Sequence, residues 1–415
     1  MTEPSPAVPR RRAALAFVLV TLVLDMLALG MVIPVLPQLV SQFLGGDVAH
    51  AAQIYGLFGT VWAAMQFLFS PLLGALSDRF GRRPVILLSN FGLGLDYVLM
   101  ALAPSLGWLF LGRVISGITA ASIPTAGAYI ADVTAEDDTR AAGFGMLGGA
   151  LGIGFVLGPA LGGMLGGIDP RLPFWVAAAL SLLNASYGFL VLPESLPKER
   201  RATFSWRRAS SLGSLRLLRS HPELLGLSLV SFLVRMSHDV LRSTFVLYAA
   251  YRYGWGQQST GLFLAAVGVC MMLVSGGLVR PFVARFGERR ALLTGLVFGT
   301  AGFAVYGLAR TGTMALVGVP LHALWGLSGP AAQGLMTRRV GRSEQGQLQG
   351  AQTSLAGIAG MIGPSIFTFT FARFIDPRNP LHLPGAPFFL AGCLLCCAVV
   401  IATRVTRPQL SPASP

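Results

Sequence analysis

Two aspartates stand where carboxylates are expensive. Asp25 lies in TLVLDMLALGMVIPVLP (residues 21–37) and Asp96 in NFGLGLDYVLM (residues 90–100), each within a run otherwise free of charge. A carboxylate at the centre of a bilayer-crossing helix costs at least about 2.5 kcal/mol on insertion scales. Two chemistries justify such a cost. A carboxyl group in a low-dielectric cavity can load and release protons near neutral pH, because desolvation and neighbouring charges set its ionisation. Alternatively, each aspartate is a helix–helix hydrogen-bond partner that never changes charge. Arg113, in LFLGRVISG (residues 109–117), is either a fixed positive charge that tunes a nearby acid or a snorkelling side chain. A further polar set occurs in SFLVRMSHDVLRSTF (residues 231–245). There Arg235, His238, Asp239 and Arg242 are spaced i, i+3, i+4 and i+7, so all four share one helical face. That face is expected to turn away from lipid. Either His238 and Asp239 titrate and orient a substrate with Arg235, or Asp239 pairs with Arg235 or Arg242 and merely fixes packing.

The elements that position these residues are membrane helices. Hydrophobic residues make up 53% of the 415-residue chain and charged residues 12%, about half the charge of a soluble domain. Apolar segments fall near 13–36, 54–76, 85–103, 107–131, 141–163, 173–193, 223–250, 258–279, 291–309, 313–336, 347–370 and 385–403. The expected class is therefore an all-α integral membrane protein with twelve transmembrane helices. With the N-terminus in the cytoplasm, 23 of the 31 Lys and Arg fall on that side. Five (Arg171, Arg252, Arg310, Arg373 and Arg378) fall on the other, and Arg113, Arg235 and Arg242 lie within helices. This asymmetry predicts both termini on the cytoplasmic side. It also makes the net charge of +14 a topology signal, with lipid headgroups rather than nucleic acid as the basic residues' partners.

The longest polar interval, residues 192–223, separates six segments from six and holds seven Lys or Arg. The division expected is 1–193 as an N-terminal six-helix bundle, 194–222 as a cytoplasmic linker and 223–415 as a C-terminal bundle. Trp206 to Arg219 places four leucines among arginines and suggests a short helix on the membrane surface. The halves repeat each other. Arg79-Phe80-Gly81 matches Arg285-Phe286-Gly287 at an offset of 206, and Gly158-Pro159 matches Gly363-Pro364 at 205. Duplicated six-helix halves are typical of transporters that rock about a central site.

Gly74-Ala-Leu-Ser-Asp78-Arg79-Phe-Gly81-Arg82-Arg83 is a tight turn with a carboxylate and several guanidiniums at helix ends. Asp78 can accept from a helix N-terminus or pair with an arginine, and either contact would act as a latch. Gly154-Phe-Val-Leu-Gly158-Pro159-Ala-Leu-Gly162-Gly163 leaves small residues at i, i+4 and i+8, a flat face for close packing. The first stretch resembles the loop signature of the major facilitator superfamily and the second the antiporter motif of its drug-export branch. Further stretches, LDMLALGMVIPVLP, GAYIADVTAEDDTRAAGFG and EQGQLQGAQTSL among them, are most similar to tetracycline:proton antiporters. The resemblance implies two pseudo-symmetric bundles and export of a small amphipathic drug in exchange for protons. It gives Asp25 and Asp96 roles in substrate and proton handling. It also implies a histidine and an aspartate in the eighth and ninth helices, where this chain has Met271 and Gly299.

Two other readings stay open: a symporter or facilitator for a metabolite on the same fold, against which the glycine motif of residues 154–163 argues, and a membrane sensor without transport. An enzyme or an ATP-driven pump finds little support in the residues. No phosphate-binding loop, nucleophile elbow or metal-ligand spacing accompanies the five scattered histidines. Cys393, Cys396 and Cys397 sit in an apolar run without acidic or histidine neighbours. The expectation is a monomeric carrier in the cell inner membrane, with no cofactor or metal, handling a small molecule and protons amid membrane lipid.

Overall fold

The computed structural model describes residues 7–119, 122–133, 137–202, 217–218, 221–341 and 344–407. Most of the expected surface helix at Trp206 to Arg219 lies outside these. Among the described residues the longer elements are all helical. They are α1 (Ala7–Val32), α2 (Leu36–Phe43), α3 (Val48–Phe80), α4 (Arg82–Leu102), α5 (Leu106–Thr119) and α6 (Ser122–Val133). There follow α7 (Asp137–Ile168), α8 (Leu172–Val191), α9 (Pro222–Ser243), α10 (Phe245–Tyr253) and α11 (Gln257–Leu273). The last are α12 (Val279–Leu308), α13 (Gly312–Ala323), α14 (Ser328–Thr337), α15 (Gln345–Ile375) and α16 (Ala386–Val405).

Ten stretches of these are long and apolar enough to cross a membrane. One of them, Gln257–Leu308, is two crossings joined at Gly287, whose φ of +80° breaks the helix. Leu106–Thr119 and Ser122–Val133 are two further apolar helices that can share one crossing, which brings the passes among the described residues to twelve. Large apolar side chains such as Leu190, Ile168 and Phe189 are exposed, as lipid contact would allow.

Several expected segments are broken inside. The seventh stops at Thr244, whose φ of −121° leaves the helical region before α10 resumes. The eighth runs through a π-helical turn at Val274–Leu278, and the tenth tightens to a 3₁₀ turn at Leu324–Leu327. By contact the chain forms two compact units. One comprises Met1–Ser211 with Phe245–Gly268, the other Leu212–Thr244 with Val269–Pro415. The breaks thus matter for organisation: α10 and most of α11 pack with the first unit although they follow the midpoint of the sequence.

The core of the first unit joins α1, α2, α4 and α8 through Met31, Val35, Leu36, Tyr97, Met100 and Phe174, all buried. The repeat seen in the sequence has a conformational counterpart. Gly81 (φ +108°) and Gly287 (φ +80°) both occupy backbone that L side chains rarely adopt, and each turns one helix directly into the next.

Candidate functional site

The first unit gathers the acids predicted from sequence. Asp25 on α1 is 5% exposed, Asp96 on α4 is 1% exposed and Arg113 on α5 is 8% exposed. Neither carboxylate oxygen of Asp96 has a hydrogen-bond partner among the described residues. The carboxylate lies against the α5 backbone: a Cβ built on Gly112 would stand 3.0 Å from Asp96 Oδ1. The guanidinium of Arg113 sits 5.5 Å over the ring of Trp62 and interacts electrostatically with Asp96. Tyr97, the neighbour of Asp96 on α4, is buried in the same unit. The sequence did not point to Tyr97 or Trp62, because an aromatic residue in an apolar helix reads as core. The same unit buries further polar groups. Thr21 donates to Asn184 at 3.1 Å, and the fully buried Asn90 side chain has no hydrogen-bond partner among the described residues.

The glycines of α7 hold α1, and with it Asp25, in place. A Cβ on Gly154 would meet Met26 Cβ at 2.5 Å, one on Gly158 would meet Gly30 Cα at 2.6 Å, and one on Gly162 would meet Met31 O at 2.2 Å. All three therefore face α1, with backbone against backbone at the last two, as their spacing suggests. Pro159 follows Gly158 in mid-helix. Gly163 leaves this stripe and faces α11, where a Cβ would come within 2.5 Å of Gln257 O and 2.9 Å of Gly261 Cα.

The charged loop is engaged inside the first unit. Asp78 pairs with Arg82, and Arg82 also bonds Asp132 at 3.1 Å and Ser77 at 2.7 Å. Of the two contacts open to Asp78, the arginine pair is the one formed. The cap at the start of α4 comes instead from Glu194, which accepts from the Arg82 backbone N–H at 2.8 Å. Arg201 stands 3.9 Å from the same carboxylate. Gly81 leaves room for it, because a Cβ there would lie 2.2 Å from Glu194 Oε2. Arg83 donates to the Phe189 carbonyl at 2.5 Å, and Arg79 lies 5.1 Å over Phe80. Gly74 borders open space. Glu194 and Asp132 were missed in the sequence; the available signal was a lone acid just past an apolar segment, in VLPES and YIADV.

In the second unit the four polar residues of α9 differ in exposure. Arg235 is exposed, Asp239 is buried, and His238 and Arg242 are half-buried. Asp239 pairs with Arg242 at 2.5 Å. Its carboxylate is turned against α15, where a Cβ on Gly363 would meet Asp239 Oδ2 at 2.8 Å. The repeated Gly-Pro thus does one job in both halves: Gly158 admits α1, and Gly363 admits the carboxylate of α9. His238 turns instead to Trp325, 5.4 Å between ring centroids.

These features match known proteins over nearly the whole chain. The family profile described as Major Facilitator Superfamily matches residues 18–364. The chain is 38% identical to "Tetracycline resistance protein, class C" of Escherichia coli, over 92% of this chain and 95% of that protein. It is 36% identical to "Tetracycline resistance protein, class G" of Vibrio anguillarum, over 91% of this chain and 96% of that protein. The crystal structure of the human organic anion transporter MFSD10 (TETRAN) superposes with a TM-score of 0.69 at 24% identity, covering 94% of this chain and 99% of that one. A profile match over most of the chain and relatives above 30% identity along nearly their full length settle the family: the chain belongs to the Major Facilitator Superfamily of membrane transporters.

Proposed function

We propose that the protein is a proton-coupled antiporter that exports a small amphipathic, tetracycline-like compound by alternating access. The observation carrying this reading is the pair of carboxylates, Asp25 and Asp96, buried in membrane-crossing helices of one unit that also buries Arg113 and Tyr97. Relatives named for tetracycline resistance, alike over most of their length, favour that substrate class. Substrate and protons compete for one set of protein states, so protons moving inward drive substrate outward. The carboxylates are the groups that change charge, and Arg113 stabilises the ionised state. Asp78, Arg82 and their partners, with Gly74, Arg79, Gly81 and Arg83, form the conformational latch. Gly154, Gly158, Pro159, Gly162 and Gly163 fix the spacing of α1 and α11 against α7. His238, Asp239 and Arg235 complete the polar set in the second half.

The transporting halves are assigned to 1–193 and 223–415, joined by 194–222, with both termini cytoplasmic and the protein monomeric in the inner membrane. The excess of Lys and Arg on one side supports that orientation. Inverted membrane vesicles with an imposed pH gradient test the function. Tetracycline should accumulate inside acid-loaded vesicles and leak out when a protonophore is added. Accumulation that ignores the gradient would defeat the antiport reading, and a panel of metabolites taken up in place of tetracycline would make the protein a metabolite carrier.

A further inference from the structure

In the first unit, α4 and α8 pack antiparallel along small residues. A Cβ on Gly94 of α4 would meet Leu182 Cγ at 2.6 Å, and one on Gly188 of α8 would meet Leu87 Cδ2 at 2.8 Å. Beside this seam the small side chains of Ala185 and Ser186 stand among larger ones, and a groove of about 680 Å³ opens. Arg83, Leu87 and Phe91 of α4 line one wall, and Ala185, Phe189 and Leu190 of α8 the other. From Arg83 to Phe91 it follows about 12 Å of helix axis, at 1.5 Å per residue. Phe91, Phe189 and Leu190 are all exposed, so the groove opens to the outside of the protein. Both helices are long and apolar enough to cross a membrane, and an apolar surface left open there is one for lipid tails.

One end of this groove is charged. Arg83 opens α4 and reaches the last turn of α8, where it donates to the Phe189 carbonyl at 2.5 Å and lies 5.8 Å over the Phe189 ring. A guanidinium has five N–H donors, and Arg83 Nε is buried without a hydrogen-bond partner among the described residues. The acids of the charged loop are committed to other arginines. Asp78 and Asp132 pair with Arg82, and Glu194 accepts from the Arg82 backbone and stands 3.9 Å from Arg201. Among the described residues no carboxylate forms an ion pair with Arg83.

We propose that this groove binds an anionic phospholipid, with the phosphate on Arg83 and one acyl chain lying between α4 and α8. The planar guanidinium fork matches a phosphate with parallel N–H···O bonds, stronger than those between neutral groups. Basic pockets between membrane helices bind anionic lipid headgroups in this way. The apolar walls that run on from Arg83 receive the tail. The charge selects the lipid: a zwitterionic headgroup brings an ammonium toward Arg82, Arg83 and Arg201, and an anionic one brings no opposing cation.

The site stands apart from the antiport reading, and its test involves no transport. Full-length protein in detergent is mixed with phosphatidylglycerol and phosphatidylethanolamine of the same acyl chains, and bound lipid is counted by native mass spectrometry. The wild type should retain one phosphatidylglycerol per protein in preference to phosphatidylethanolamine. One basic side chain at an anionic lipid headgroup strengthens binding about fivefold. Arg83→Gln should therefore weaken phosphatidylglycerol binding by about that factor and remove the preference, and Arg83→Lys should restore the preference. Ser186→Trp fills the groove from an exposed position and leaves every charge in place; it should weaken the binding of both lipids. Equal retention of the two lipids by the wild type would overturn the proposal. So would phosphatidylglycerol binding that is unchanged in either Arg83→Gln or Ser186→Trp.

Discussion

Gly158→Ala places a methyl group where α7 meets α1, and the structure sets its cost. The new Cβ would lie 2.6 Å from Gly30 Cα, with Gly30 C and Leu27 O at 3.0 Å. Non-bonded carbons prefer roughly 3.5–4.0 Å, so the two helices must part by about 1 Å. The opposing atoms belong to backbone and cannot rotate aside. Overpacking of this kind costs roughly 1–3 kcal/mol. Against it stands the better helix propensity of alanine, worth about 1 kcal/mol relative to glycine. Gly149→Ala isolates that second effect, because a Cβ there meets nothing within 4 Å. The propensity gain then cancels between the two variants, and Gly158→Ala should be the less stable by about 1–3 kcal/mol. Purified protein in detergent, unfolded thermally, gives the comparison, and vesicle uptake shows whether moving α1 disturbs Asp25. Gly158→Ala should unfold at the lower temperature and transport more slowly. Equal unfolding temperatures with equal transport would refute the claim that this contact fixes the position of α1.

Glu194→Ala removes the cap on α4 and should cost about 1 kcal/mol, read as a lower unfolding temperature with Gly81 intact. Asp78→Ala should slow turnover and raise cysteine labelling at the cytoplasmic mouth; unchanged rate and labelling would leave the Asp78–Arg82 pair a local ornament of the loop. Gly363→Ala drives a methyl group toward the Asp239 carboxylate and should alter the pH profile of export more than its maximum rate. Asp239→Asn and His238→Ala should each change that profile as well, and wild-type profiles in both would reduce the α9 set to a packing pair.

The fold was legible because its signals are collective. Twelve apolar runs, a sign bias in Lys and Arg, and two motifs repeated at nearly one offset each involve many residues. Asp25, Asp96 and Arg113 were legible singly, because charge inside an apolar helix has few explanations. Tyr97, Trp325 and His322 were not. A membrane helix is apolar all round, so periodicity does not reveal which face is inside, and an aromatic or a lone histidine there looks like any core residue. Trp325 neighbours both His322 and His238, the latter on a helix more than eighty positions earlier, a proximity that no local pattern shows. Glu194 likewise belongs by sequence to a linker but by contact to the start of α4.

Proton coupling through Asp25 is most directly tested in proteoliposomes carrying wild type or Asp25→Asn, with substrate exchange and gradient-driven accumulation measured on the same preparation. Asparagine keeps the size and hydrogen-bonding capacity of the side chain but cannot ionise. The account predicts that Asp25→Asn still exchanges substrate across the membrane yet no longer accumulates it in response to a pH gradient. Full gradient-driven accumulation by Asp25→Asn would contradict it.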